Sequence, residues 1–213
     1  MMMRKICLLC CLVLSLAMQG QTMKKADEAQ SKAMVESINR TAASIRSIAC
    51  SFTQVKSLRF LNDKMTSQGR MYYDASGKLR WEYTSPYQYI FILNGQNVYI
   101  KSAKTSRSID IRQSRLFQGI AQLMMNSVTG RCLSSDEDFT CVMYVQGDEW
   151  IADLTPKKKE VKKMFKSVRL HISSTRRMVS QVEMTETSGD TTVITLKNVK
   201  TNERIDEKLF TVG

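Results

Sequence analysis

From Lys24 to Ser47 the apolar residues Ala26, Ala29, Ala33, Met34, Ile38, Ala42 and Ile45 recur mostly at three- and four-residue steps, with Lys, Glu and Arg between them. That period predicts an amphipathic helix. At Ile48 the period drops to two. Ile48, Cys50 and Phe52 alternate with Ala49, Ser51 and Thr53, opening a predicted strand that runs to Phe60. A second strand is predicted over Met65–Tyr73. A third sends Leu79, Trp81 and Tyr83 to one face and Lys78, Arg80 and Glu82 to the other. Tyr87–Leu93 and Gln96–Lys101 flank Asn94-Gly95, a pair suited to the positive φ angles of a hairpin turn. A short strand is predicted near Arg107–Ile111. Leu116, Phe117, Ile120, Ala121, Leu123, Met124 and Val128 then return to a helical period that Gly130 can stop. Five further strands follow, at Phe139–Gln146, Glu149–Thr155, Ser167–Ser173, Val179–Thr187 and Thr191–Val199. Eleven strands and two helices with no strand–helix alternation predict a mainly β fold of the α+β type, in which a large antiparallel sheet, curled or closed, carries helices on one side.

The amino terminus does not belong to that sheet. Arg4 and Lys5 precede an unbroken apolar run from Ile6 to Leu14, then small and polar residues. This is the order of a secretory signal peptide, with an apolar stretch too short to span a bilayer. Residues 1–20 are therefore expected to be removed on export, leaving a single soluble domain over 21–213. With Cys7, Cys10 and Cys11 gone, Cys50, Cys132 and Cys141 remain. An odd number makes no disulfide framework, although eight residues between Cys132 and Cys141 leave room for one bridge in an oxidising compartment. Cys50, alternating with Ile48 and Phe52, should be a buried thiol.

Charge changes the picture only after compartment is considered. The full chain carries a formal +12, which would suggest nucleic acid inside a cell. For an exported protein no nucleic-acid partner is expected, and anionic membrane surfaces or acidic protein faces take its place. Lys157, Lys158, Lys159, Lys162 and Lys163, just after the turn residue Pro156, form the densest basic run. They read either as a solvated loop or as a docking patch for acidic lipid headgroups or an acidic membrane partner.

Catalysis finds little support. The chain has one histidine, His171, and the alternation of Val168, Leu170 and Ile172 puts it on the polar face of its strand, so a solvated histidine is expected. No nucleophile elbow, phosphate loop, dinucleotide fingerprint or metal-ligand spacing is present, and Asp136-Glu137-Asp138 lacks the spacing of a calcium loop. No enzyme, cofactor or metal is expected. The stripes Leu79-Trp81-Tyr83 and Met71-Tyr73 read equally as plain core or as the wall of a pocket. The ten methionines from Met23 onward suit a pocket for flexible apolar chains. A transmembrane barrel would turn its apolar face to lipid and a polar face to its lumen; the charged face opposite Trp81 and the flanking amphipathic helices argue for a soluble barrel.

Several stretches in order resemble the LolA family of periplasmic lipoprotein carriers. They are Ser51-Phe52-Thr53-Gln54, Gly69 to Tyr73, Leu79-Arg80-Trp81-Glu82-Tyr83-Thr84-Ser85-Pro86, Asn94-Gly95, Val98-Tyr99-Ile100, Leu154-Thr155-Pro156-Lys157, Asn198 to Asn202, Ile205-Asp206 and Leu209-Phe210. The resemblance runs from about residue 30 to the carboxyl end. It implies an unclosed eleven-stranded antiparallel barrel with a helical lid over a hydrophobic cavity. It further implies a monomeric carrier that takes the acyl chains of lipoproteins from an inner-membrane ABC-type lipoprotein-releasing complex and passes them to an outer-membrane acceptor. Carriage of another amphiphile, such as a glycolipid or a lipid-linked molecule, and a LolB-like acceptor role are the alternatives, the latter without a lipobox cysteine to support it. By this resemblance Phe52, Leu79, Trp81 and Tyr83 fall on cavity-lining strands, and Met71, Tyr73, Ile92, Leu123 and Met124 complete the expected lining. One departure stands out. Where the family commonly has an arginine that latches the lid, this chain has Ala75. Arg70 and Arg80, which could substitute, alternate with apolar residues and are expected to face water. The lid is therefore expected to be more open without cargo than in members with the arginine, or to be held by apolar contacts from Phe117, Leu123 and Met124.

Overall fold

The computed structural model describes residues 22–61, 63–102, 106–110, 125–127, 129–133 and 137–211. Within them the chain builds one antiparallel sheet of twelve strands. These are β1 (Lys24–Lys25), β2 (Ser47–Leu58), β3 (Asp63–Asp74), β4 (Lys78–Ser85), β5 (Tyr89–Asn94), β6 (Asn97–Ser102), β7 (Ser106–Asp110), β8 (Phe139–Gln146), β9 (Glu149–Pro156), β10 (Phe165–Ser173), β11 (Met178–Glu186) and β12 (Thr191–Thr201). Eleven match the strands that the period-two stretches predict. The twelfth is the two-residue β1, too short to leave a periodic signal.

The strand order is β1-β8-β9-β10-β11-β12-β2-β3-β4-β5-β6-β7, so the sheet has two edges and does not close. Its centre is the β12–β2 pair, with Leu196 opposite Phe52 and Thr192 opposite Lys56. The long hairpin β2–β3 keeps one register over its whole length, from Ser47 opposite Asp74 to Leu58 opposite Asp63. Opposed residues share a face. Register alone therefore sets Ile48 with Tyr73, Cys50 with Met71 and Met71 with Trp81 on one side of the sheet.

That side is the core. Phe52, Met71, Leu79, Trp81, Leu154, Val168, Leu170, Ile172 and Val182 are buried on it. The helix α1 (Glu28–Ser44) covers part of it, burying Met34, Ile38 and Ala42. Asp27 caps α1: its Oδ1 accepts from the Gln30 N–H at 2.8 Å, while Gln30 Oε1 accepts from the Asp27 N–H at 3.3 Å. Such a reciprocal cap satisfies two amides that a helix start otherwise leaves without partners. The Arg131–Leu133 turn buries Leu133 beside α1. Gly130 adopts φ +77°, and a Cβ there would come to 3.0 Å from Ile38 Cγ2, so the chain passes over α1 where only glycine fits.

Among the described residues, a carboxyl-terminal turn, Glu207–Phe210, covers part of the outer face, lying against β4 and β5 and burying Phe210. This overturns the expectation that Arg80 faces water. Its side chain is 13% exposed, with Nε donating to Glu82 Oε2 at 3.0 Å and one Nη to the Leu209 carbonyl at 3.1 Å. The solvated His171 is likewise corrected. Its side chain is 15% exposed, with Nδ1 3.1 Å from Glu149 Oε2 and Nε2 3.0 Å from Glu183 Oε1. The two carboxylates come from β9 and β11, which flank β10 on either side.

Candidate functional site

The inner face changes character along the strands, layer by layer. At one end Ile48, Tyr73, Leu79, Leu93 and Val98 form one buried row across β2 to β6. Next comes the row Cys50, Met71, Trp81 and Phe91. The third is aromatic: Phe52 sits 4.3 Å from Trp81 between ring centroids and 5.4 Å from Tyr83, which in turn lies 6.0 Å from Tyr89 and 6.3 Å from Tyr87. Gly69 makes room for this cluster. A Cβ at that position would come to 2.1 Å from the Glu82 carbonyl and 2.4 Å from the Phe52 ring. Beyond it the inner face turns polar. The Tyr83 hydroxyl donates to Gln54 Oε1 at 2.9 Å, and Lys56 pairs with Glu186 at 2.8 Å.

The result is an apolar interior graded toward one rim. Burial pushes the Tyr83 and Tyr89 phenols above their ordinary range, so both stay neutral and can lie beside apolar chains. Arg131 places its guanidinium 6.0 Å from the centre of the Tyr73 ring, a cation–π contact from the turn that follows the second predicted helix.

Of the residues expected to line the interior, Phe52, Met71, Tyr73, Leu79, Trp81 and Tyr83 converge on this face. Ile92 does not. It pairs with Arg80 on the outer face and is buried beside Leu209; the inward residues of β5 are Phe91 and Leu93. Ile90, Phe91, Ile92 and Leu93 form one continuous apolar run, which carries no period from which a face can be read. Leu123 and Met124 lie outside the described residues, as do Phe117 and the Cys132 side chain; Cys141 Sγ lies 3.6 Å from Met143 Sδ. The position expected to lack a latch is a tight turn: Ala75 donates its N–H to the Arg46 carbonyl at 2.8 Å, and Asp74 Oδ1 accepts from the Ser76 N–H at 2.8 Å. The Ser76 hydroxyl and, after it, that backbone bond hold the Asp74 carboxyl below its usual range.

Sequence reasoning missed Gln54, Tyr89 and Phe91. Gln54 is polar yet inward; it lies two residues after Phe52 on β2, so the alternation of that strand was the signal that could have placed it.

Cys50 is a buried thiol, as expected, and burial pushes it up from near 9 to about 12. A raised thiol contributes stability below its unfolded value, and the contribution declines as pH rises toward the folded one. At pH 8 iodoacetamide should leave Cys50 intact in the folded protein over a period in which the denatured chain reacts completely. Rapid labelling would show that the interior opens.

Among the described residues no helix is long and apolar enough to cross a membrane, and no group of three or more His, Cys, Asp or Glu residues could hold a metal ion.

A family model described as "Outer membrane lipoprotein carrier protein LolA" matches residues 43–213. An outer-membrane lipoprotein carrier protein of Methylococcus capsulatus is 27% identical over 171 residues, 78% of this chain and 77% of the relative. One from Legionella pneumophila is 24% identical over 184 residues, 86% of this chain and 87% of its own. Among solved structures, a LolA superfamily protein from Nitrosomonas europaea superposes with a TM-score of 0.44 at 13% identity, covering 84% of this chain and 97% of that one.

Proposed function

The chain belongs to the family of outer membrane lipoprotein carrier proteins named LolA, and from that premise we propose that it is a periplasmic carrier for the acyl chains of lipoproteins. The observation that carries this reading is the graded inner face, in which buried aliphatic rows pass into the aromatic cluster of Phe52, Trp81, Tyr83 and Tyr89 before the rim turns polar. Acyl chains gain by leaving water at about 0.8 kcal/mol per buried CH2, while the polar rim suits the peptide end of an acylated cargo. In this reading the donor is an inner-membrane ABC-type lipoprotein-releasing complex and the receiver an outer-membrane acceptor. The protein works as a monomer without catalysis; binding and release are its whole chemistry.

The two tryptophans make a direct test available. Trp81 lies in the aromatic cluster, whereas Trp150 sits on β9 opposite Val145 and Ile172. In a Trp150→Phe variant, emission from Trp81 alone should be quenched by a peptide bearing a brominated palmitoyl chain and left unchanged by the same peptide without the chain. A brominated free lipid that quenches while the acylated peptide does not would instead assign a different amphiphile as cargo. Unchanged emission with every acyl probe would sink the carrier reading.

A further inference from the structure

The rim at which the inner face turns polar carries an apolar tip that no core explains. β2 ends at Leu58, two residues before the predicted end of the strand, and Phe60 and Leu61 stand in the turn at 86% and 70% exposure. They are by far the most exposed large apolar residues described, and Met65 and Tyr87 are the other partly exposed ones at this end. Isolated exposed apolar residues are common. Two adjacent ones at the tip of a long hairpin, flanked by Arg59 and Lys64, are a different arrangement.

The tip is braced. The Arg59 N–H donates to Asp190 Oδ1 at 3.0 Å, and the Arg59 side chain packs over Gly189, whose Cβ would lie 2.8 Å from Arg59 Cδ. The β11–β12 turn that supplies Gly189 and Asp190 is itself tied to the basic run. The Thr187 N–H donates to the Met164 carbonyl at 3.0 Å and its hydroxyl to the Lys163 carbonyl at 3.1 Å. The hairpin tip and the helical turn Lys159–Lys162 thus belong to one end of the sheet, joined by three hydrogen bonds through a single turn. Val161 is buried and anchors that helical turn, while Lys159, Lys162, Lys163 and Lys166 point outward. Lys158 is partly engaged by Asp138 at 2.5 Å. The acids on this end are Asp63, Glu137, Asp138, Glu160, Glu186 and Asp190; Asp138 is held by Lys158, Glu186 by Lys56, and Asp190 already accepts from the hairpin backbone.

We propose that this rim docks the protein on an anionic lipid bilayer, with Phe60 and Leu61 entering the headgroup–acyl boundary and Arg59, Lys64 and the Lys159–Lys166 cations meeting the headgroups. The reasoning is the two-signal requirement for reversible attachment. A small apolar insertion is weak by itself, and so is a basic patch, but their sum is not. Charge complementarity selects the occupant: an apolar knuckle ringed by cations matches a surface that is anionic outside and apolar beneath. Docking here would bring the polar edge of the interior, at Gln54, Lys56 and Tyr83, to the membrane surface. The proposal stands on the rim itself and does not require any particular cargo.

Sedimentation of the purified exported form with vesicles tests it. At low salt the protein should bind vesicles of 70% phosphatidylcholine and 30% phosphatidylglycerol, and bind pure phosphatidylcholine weakly. Phe60→Ser with Leu61→Ser should weaken binding about 10- to 100-fold. Lys159→Glu with Lys163→Glu should weaken it by at least about fivefold for each cation and reduce its salt dependence. Both variants alter exposed side chains, and unchanged quenching of Trp81 by an acylated peptide verifies that fold and interior are intact. Absence of binding to the anionic vesicles overturns the proposal, as does equal binding by the Phe60→Ser, Leu61→Ser variant; in that case the tip faces a protein partner. Failure of the carrier reading is separate, since it appears as loss of quenching with vesicle binding retained.

Discussion

Replacing Gly69 by alanine is expected to lower the melting temperature by roughly 6–12 °C, corresponding to about 3 kcal/mol for a domain of this size. No flexible tip can move aside. The new methyl would meet a backbone atom, the Glu82 carbonyl, at 2.1 Å and the Phe52 ring at 2.4 and 2.6 Å. Because the β3–β4 ladder fixes the carbonyl, relief requires the two strands to part or the aromatic cluster to repack. Phe52→Leu in the alanine background should recover part of the loss, since it removes the ring and leaves the carbonyl clash. Thermal unfolding followed by circular dichroism measures both. A Gly69→Ala protein that melts within about 2 °C of the parent would mean that the strands are not held as closely as described.

The second large effect is expected at Trp81. The side chain is buried, stacked at 30° on Phe52, and bordered by Met71 and Phe91 on neighbouring strands. Trp81→Ala removes it from the middle of three inner rows and should cost about 3–5 kcal/mol, the range for large-to-small changes in a core that relaxes only partly. The same change leaves a void lined by apolar side chains. An acylated peptide should therefore raise the melting temperature of Trp81→Ala by more than it raises that of the parent, because a chain that fills the void restores lost contacts. Equal shifts in the two proteins would place the acyl chain away from Trp81.

Much of this was legible in the chain, and the failures have a common cause. Period-two alternation identified the strands and put Phe52, Leu79 and Trp81 on one face, because a side-chain period depends only on neighbours in sequence. Family resemblance then supplied the unclosed barrel. What alternation cannot report is what covers the other face. Arg80 alternates with apolar residues and so reads as solvated, yet the Leu209 carbonyl that binds it lies 129 residues further along the chain. His171 fails in the same way, with its carboxylates on two flanking strands. Ile92 fails because β5 is apolar on both faces, one covered by the interior and the other by the carboxyl-terminal turn. Phe60 reads from the sequence as the end of a strand. Its neighbours Arg59, Asn62, Asp63 and Lys64 are turn-like and polar, and an apolar pair inside such a turn was the available signal for an exposed tip.

The order of strands also has a consequence for the timing of folding. The middle of the sheet is the seam between β12 and β2, where Ser51 donates to the Lys197 carbonyl across 146 residues of sequence. Each half can form its hairpins as it is made, but neither half buries its central strand until nearly the whole chain is available. Contacts so distant in sequence make a domain slow to fold, because loop closure must precede the interactions that reward it. For the periplasmic carrier proposed above, a chain synthesised on one side of a membrane has to remain threadable until it has crossed. Here the delay is written into the topology: the strand that completes the sheet is the last one to emerge.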